Sequence, residues 1–167
     1  GNFTIPNEGT SPVTVTSYLA GQYFTVDNVA GAEETLTLSV TPPGPANFVH
    51  NLENTSEAIR AQVNGYVQAN VVRNFCLTYN PSYPTIESQF NFPVHVNRTD
   101  GYCPGNAWYD YSSINFCSSG DPHPNTAWSN IIHHEYGHHM VAMAGSGQGE
   151  YGEGMSDCIG VLIADDP

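Results

Sequence analysis

The chain has no lysine. Its cations are Arg60, Arg73 and Arg98, set against sixteen aspartates and glutamates for a formal net charge of -13. Tracking a phosphate backbone needs a basic face, so this balance excludes a nucleic-acid partner. No apolar run approaches the ~18 residues that cross a bilayer, so no membrane partner is expected, and any export leader is expected to have been removed. There is no C-x-x-C pair among Cys76, Cys103, Cys117 and Cys158. Four cysteines so spaced read as disulfide partners rather than thiolate zinc ligands, which points to an oxidising, secreted or extracellular setting. Sequons at Asn2, Asn54 and Asn97 agree with that setting. A G-x-S-x-G elbow is missing too, so a serine nucleophile has no usual seat. Outside one stretch the acids are scattered, as on a solvated surface.

The 167 residues suffice for one core, or a core with a small appendage. "VTVTSYLAGQYFTV" and "ETLTLSV" alternate and are rich in β-branched residues, which predicts strands of a small β layer. "TPPGPANFVHN" from Thr41 breaks the pattern, dividing an N-terminal β-rich segment, 1–45, from residues 46–167. "TSEAIRAQVNGYVQANVVRNF" then carries apolar residues at 59, 63, 66/67, 71 and 75, a helical spacing, with Thr55 or Ser56 as N-cap. Residues 76–124 are dense in Pro, Gly, Asn and Ser around the short runs "NFPVHV", "AWYDY" and "INF", which predicts an irregular antiparallel sheet. A helix should come next, capped by Asn125 or Thr126 and stopped by Gly145. Beyond the loop "GSGQG" a second helix runs from about Glu150 to Ala164.

Against this plain background, "HHEYGHHMVAMAGSGQGEYGEGMSD" concentrates imidazoles and carboxylates. His134-Glu135-Tyr136-Gly137-His138 is an H-E-x-x-H sequence within a segment predicted to be helical on its pattern alone. Two histidines four apart on a helix share a face, so their ring nitrogens can converge on one ion. Glu135, beside the first, can reach a water on that ion without being a ligand. The stripe Ala127, Ile131, His134, His138 and Val141 sets both imidazoles inward, while His133 and His139 fall off it and read as surface or second-layer residues. Gly137 in mid-helix suggests a close approach to its backbone. A catalytic zinc needs a third protein ligand and an open position. Val141 and Ala144 stand where the metzincin pattern requires Gly and His. Glu150, Glu153 and Asp157 share a face of the next helix, and Glu153 is the preferred ligand over Glu150, with Asp157 placed to accept the second ring N–H of a ligating histidine. Gly152, Gly154 and Gly160 would let the two helices pack closely.

At these residues the chain resembles the gluzincin metallopeptidases, thermolysin-like and fungalysin-like, whose H-E-x-x-H is followed by E-x-x-x-D on the next helix. "HHEYGHH" and "GEGMSD" are most similar to the fungalysin-like form. The resemblance implies one catalytic zinc on His134, His138 and Glu153, with Glu135 as general base and Asp157 supporting a ligand. It makes "NAWYD" a substrate edge, with Asn106 and Ala107 lying along a polypeptide. The implied fold is α+β: a zincin-like catalytic lobe over 46–167, with an antiparallel-rich sheet, an active-site helix and a glutamate helix, after the N-terminal segment. Such enzymes continue into a C-terminal helical lobe, so the chain is expected to be a truncated fragment whose partner is that lobe. The expected function is a zinc-dependent endopeptidase using a metal-activated water. The alternative is a non-catalytic zinc-binding relative, a secreted binding or adhesion module, for which a retained Glu135 would have no use. Tyr151 is a weak choice of oxyanion donor, and Asp165 and Asp166 of calcium ligands. Of three possible connectivities, Cys103 with Cys117 and Cys76 with Cys158 is preferred.

Overall fold

A computed structural model describes residues 2–164, so the calcium expected at Asp165 and Asp166 lies outside the described residues. The elements are β1 (Val13–Tyr18), β2 (Phe24–Asn28), β3 (Thr35–Val40), α1 (Glu57–Tyr79), β4 (Phe92–Arg98), β5 (Ala107–Tyr109), β6 (Ile114–Cys117), α2 (Ser129–Met143) and α3 (Glu150–Ala164). β1 and β3 form an antiparallel pair, while a second sheet has the order β2-β4-β6-β5. Ser17 on β1 hydrogen-bonds His50 (2.9 Å), which reaches Glu34 on its other side (3.4 Å), tying the small pair to the segment after it.

The larger sheet is not antiparallel-rich, as the sequence led us to expect. β2 pairs parallel with β4 and β4 parallel with β6; β5 alone runs antiparallel, to β6. Parallel neighbours need a long crossover, and the path from β2 to β4 contains the 23-residue α1. Alternation within a strand carries no information about its direction. β5 and β6 are instead joined tightly, the Asp110 N–H donating to the Ser113 carbonyl at 3.1 Å.

The division expected at residue 45 does not set β2 apart from residues 46–167. Phe24 and Val26 are buried, and Phe24 packs its ring 5.5 Å from that of Tyr136 on α2. Val94, Val96, Ile114, Phe116 and Ile132 complete this core with essentially no exposure, each worth roughly 1.5–3 kcal/mol in removed apolar surface. The Tyr136 hydroxyl donates to Gln89, so its burial leaves no polar atom stranded.

Ser56 caps α1, accepting the Ile59 N–H at 3.3 Å. The buried face differs from the apolar spacing. It comprises Ala61, Gln62, Gly65, Ala69, Val72, Arg73 and Cys76, while Val67 and Val71 are exposed. Small residues win the inner face because the helix lies directly on the sheet: a Cβ at Gly65 would stand 3.2 Å from Val94 and Val96. Among the described residues, no helix is long and apolar enough to cross a membrane.

Cys103 and Cys117 form a disulfide that ties the loop before β5 to the end of β6. The second expected bridge is absent: Cys76 is a buried thiol on α1 and Cys158 an exposed one on α3. They lie on surfaces that do not face each other, because Cys76 joins the sheet-facing side of α1 and Cys158 the solvent side of α3. Burial pushes the Cys76 thiol up to about 11, which keeps it protonated and unreactive.

Candidate metal centre

α2 begins later than its sequence suggested, with Trp128 as the N-cap residue. Asn125 and Thr126 are engaged elsewhere. Asn125 bonds Glu57, Asn97 and the Ala127 N–H, and the Thr126 hydroxyl bridges Cys117 N–H (2.8 Å) and Asn106 carbonyl (2.9 Å). These bonds moor the entry to α2 on β6 and on the approach to β5. At the other end Gly145 takes φ +74°, its N–H bonding the Ala142 carbonyl while the Ser146 N–H bonds that of Val141. This Schellman pair stops the helix where the glycine was expected to.

α3 returns antiparallel along α2. Gly160 faces Asn130, Asp157 bonds His134, Ser156 meets Gly137 and Gly152 lies against His138. The contact is closest at Gly137, where a Cβ would come within 2.8 Å of the Ser156 Cα and 3.0 Å of its side chain. Backbone cannot yield as a side-chain tip can, so Gly137→Ala must push the helices apart. The expected result, read by thermal unfolding and zinc titration, is a lowered Tm and roughly tenfold weaker metal binding. At Gly152 a Cβ would meet only the tip of the Gln148 side chain, which can yield by leaving His138, whereas Gly154 faces open space.

This packing brings His134, His138 and Glu153 together. The two Nε2 atoms are 3.1 Å apart, and the Glu153 Oε2 stands 3.2 Å from one and 3.5 Å from the other. The outer nitrogen of each ring is engaged: His134 Nδ1 by Asp157 Oδ1 and His138 Nδ1 by Gln148 Oε1, both at 2.8 Å. The Gln148 amide is oriented by its own donation to the His138 carbonyl at 3.1 Å. Both acceptors therefore place the ring proton on Nδ1 and leave a lone pair on each Nε2. Two imidazole lone pairs and a carboxylate oxygen converge with no proton between them, an arrangement that repels itself unless a cation neutralises it. Ligand atoms about 2.0–2.1 Å from a tetrahedral ion lie about 3.3–3.4 Å from each other, which the three separations bracket. The residues fit a divalent metal. Glu153 is 63% exposed against 11% for His138, so the set is open on the Glu153 side, where a fourth ligand can enter.

Glu135 does not belong to this triad. It is buried, and burial pushes its carboxyl up to about 7; the His134 ring opposes the rise, the Glu153 carboxylate adds to it, and the Tyr109 backbone N–H opposes it again. That N–H reaches Glu135 because β5 is the sheet edge. Cys117 N–H bonds the Asn106 carbonyl and Asp110 N–H the Ser113 carbonyl, so the alternation turns the backbone of Ala107 and Tyr109 outward. Asn106 is exposed at the head of this edge, with its side chain folded onto the Ala107 N–H at 3.0 Å.

His133 and His139 are not surface residues; each is 4% exposed. α2 is packed on several sides at once, against α1, α3, β5 and β6, so one apolar stripe understates its buried circumference. His133 bonds Gln68 at 2.9 Å and His139 the Tyr109 hydroxyl at 3.0 Å, the latter pinning β5 to α2 beside Glu135. The role of Gln148 was also missed. It is the one long polar side chain in "GSGQG", and that is the only signal the sequence offers for it.

No protein-family model matches the chain, and no curated protein sequence does. Among solved structures it is similar to the precursor of protealysin, a metalloproteinase from Serratia proteamaculans, with a TM-score of 0.58 at 16% identity. The likeness is one of fold. It covers 89% of this chain and 45% of that one, so the chain spans less than half the length of its structural neighbour. The three helices and two sheets of the described residues thus form a mixed α and β fold similar to that of a metalloproteinase precursor.

Proposed function

We propose that the chain carries the catalytic centre of a zinc-dependent endopeptidase of the gluzincin kind. The observation that carries this reading is the convergence of His134 Nε2, His138 Nε2 and Glu153 Oε2 with both Nδ1 atoms already held by acceptors. A metal-binding module needs no more than that. The peptidase reading rests further on Glu135, a buried carboxyl that is no ligand, placed between the ligand face and an open strand edge.

His134, His138 and Glu153 would hold the zinc, which when bound would supply Lewis-acid polarisation of a carbonyl and lower the pKa of a water toward about 7. Asp157 and Gln148 fix the two imidazoles so that their ligand atoms need no reorganisation. Glu135 accepts the proton of the attacking water on its carboxylate and returns it to the departing amine. Along β5 the outward carbonyls of Ala107 and Tyr109, with the Asn106 amide at its head, receive an extended polypeptide at the strand edge, which asks little of its sequence. The reading includes a further lobe of the same protein packed on α3, whose outer stripe leaves Tyr151 57% and Leu162 59% exposed. It includes a secreted setting, for which the Cys103–Cys117 bridge speaks.

The test is zinc content and cleavage of a quenched fluorescent peptide library by the complete gene product. One zinc per chain, turnover abolished by phenanthroline and restored by added zinc, is the expected result. Zinc bound at unit stoichiometry without any turnover would instead favour the binding module, and absence of zinc binding would end both readings.

A further inference from the structure

Of the three arginines, the fold consumes two. Arg73 donates to the carbonyls of Ile86 and Glu87 and lies 3.4 Å over the Tyr23 ring. Arg98 is chelated by both Asp100 oxygens and bonds Asn115. Arg60 is held by no such hydrogen bonds, although its charge adds to the Ser119 and Asn125 bonds that hold the Glu57 carboxyl below the usual carboxylate range. Its Nε is buried with no hydrogen-bond partner, and no carboxylate among the described residues stands within ion-pair distance of its guanidinium. Nε is closed to solvent, so the outer guanidinium nitrogens are the donors that an acceptor oxygen from outside would meet.

Space for one exists. Arg60 lines a pocket of about 140 Å³ with Glu57, Ala61, Asn64, Ala127 and Trp128. Trp128 is 51% exposed there, an indole face that the fold leaves uncovered. It is also the uncapped N-terminal residue of α2, whose first turn holds no acid, so the positive end of that helix begins at the pocket's rim. Glu57 brings one negative charge, turned away into bonds with Ser119 (3.1 and 3.0 Å) and Asn125 (3.1 Å). The pocket is separate from the metal centre: His134 lies six positions beyond Trp128, about 9 Å along the helix.

We propose that this pocket is a binding site for an apolar monocarboxylate. Its carboxylate accepts from the Arg60 guanidinium, and its apolar body lies on Trp128 and against Ala61 and Ala127. One cation and a helix terminus suit a single negative charge, while Glu57 and the acidic surface oppose a dianion such as phosphate. The same chemistry is offered by a free organic acid and by the C-terminal carboxylate of a peptide.

Trp128 is its own reporter once Trp108 is replaced by Phe. Zinc-free Trp108→Phe protein is titrated with phenylacetate, with N-acetylphenylalanine, with neutral phenylacetamide and with inorganic phosphate. Saturable change in tryptophan emission is expected for the first two, with Kd near ~1 mM. The tighter of the two identifies the source as free acid or peptide terminus. Phenylacetamide and phosphate should bind about tenfold more weakly or worse, and Arg60→Gln should weaken phenylacetate by about tenfold. Arg60→Lys, which keeps the charge but loses the fork, should fall between, and guards against a folding defect in the Gln variant. Equal binding of phenylacetate and phenylacetamide, an unchanged Kd in Arg60→Gln with native circular dichroism, or no saturation by either carboxylate up to about 10 mM would each overturn the proposal. Because the protein is zinc-free throughout, none of these results bears on the peptidase reading.

Discussion

Glu135→Gln is expected to bind zinc as the wild type does and to hydrolyse peptide about 10²–10⁴-fold more slowly. The substitution keeps volume and planarity at a residue that is only 6% exposed, so no cavity opens. The ligand atoms are untouched, and the imidazoles remain held by Asp157 and Gln148. What disappears is the group proposed as the proton acceptor. With its carboxyl pushed up to about 7 by burial, Glu135 is matched to proton transfer near neutrality, and a cation on the triad would draw that value back down. The acid limb of kcat/KM should therefore lie below pH 7, activity falling as the carboxylate is protonated, and the Gln variant should lack that limb. The measurement pairs zinc per chain with kcat/KM across pH. Wild-type turnover in the Gln variant would assign the base elsewhere, whereas lost zinc would mean that Glu135 supports the ligands.

How far the sequence reached depends on whether a signal is periodic. H-E-x-x-H and "GEGMSD" sit on helices because their spacing is helical, and Gly137 marked the close approach of α3 before any partner was known. Gly145 ends α2 and Glu150 starts α3 as their residue types dictate. Gln148 carries no periodic signal, since a loop side chain acquires its partner only when two helices meet. Strand direction was illegible for a related reason: a parallel and an antiparallel strand alternate alike, and only the crossover through α1 decides. The cysteines show the limit of counting. An even number allowed two bridges, yet Cys76 turned toward the sheet and Cys158 toward solvent. On α1 the assumption that large apolar residues face inward failed, because a helix lying directly on a sheet selects Ala and Gly for the contact.

Protonation of His133 and His139 should cost this protein stability as pH falls below about 6.5. Burial holds both imidazoles down to about 4, against about 6.5 in an unfolded chain. The lowered value means that the native state resists protonation while the unfolded state accepts it. Stability from this source is therefore intact above pH 6.5, falls as pH drops through the interval to 4, and falls no further below it. At pH 5 each histidine costs about 2 kcal/mol, and the pair roughly 4, which is a large part of the 5–15 kcal/mol that a domain this size commands. Their environments make the shift structural: His139 lies 4.4 Å from the Phe92 ring and 5.3 Å from Tyr136, and neither buried histidine has a carboxylate hydrogen-bonded to it. Denaturant unfolding of chelator-treated protein at pH 7.5 and pH 5 measures the net change, in which Glu135, its carboxyl raised to about 7 by burial, gains its proton on the same descent and offsets part of the histidine loss. His139→Phe, which suits that aromatic nest, should flatten the pH dependence by about 1.2 kcal/mol per pH unit near pH 5 relative to wild type. Chelation keeps metal-linked protons on His134 and His138 out of the comparison, and the difference between the two proteins isolates one imidazole. An identical slope in both would mean that His139 is already protonated in the folded state, and that its nest is wetter than its burial implies.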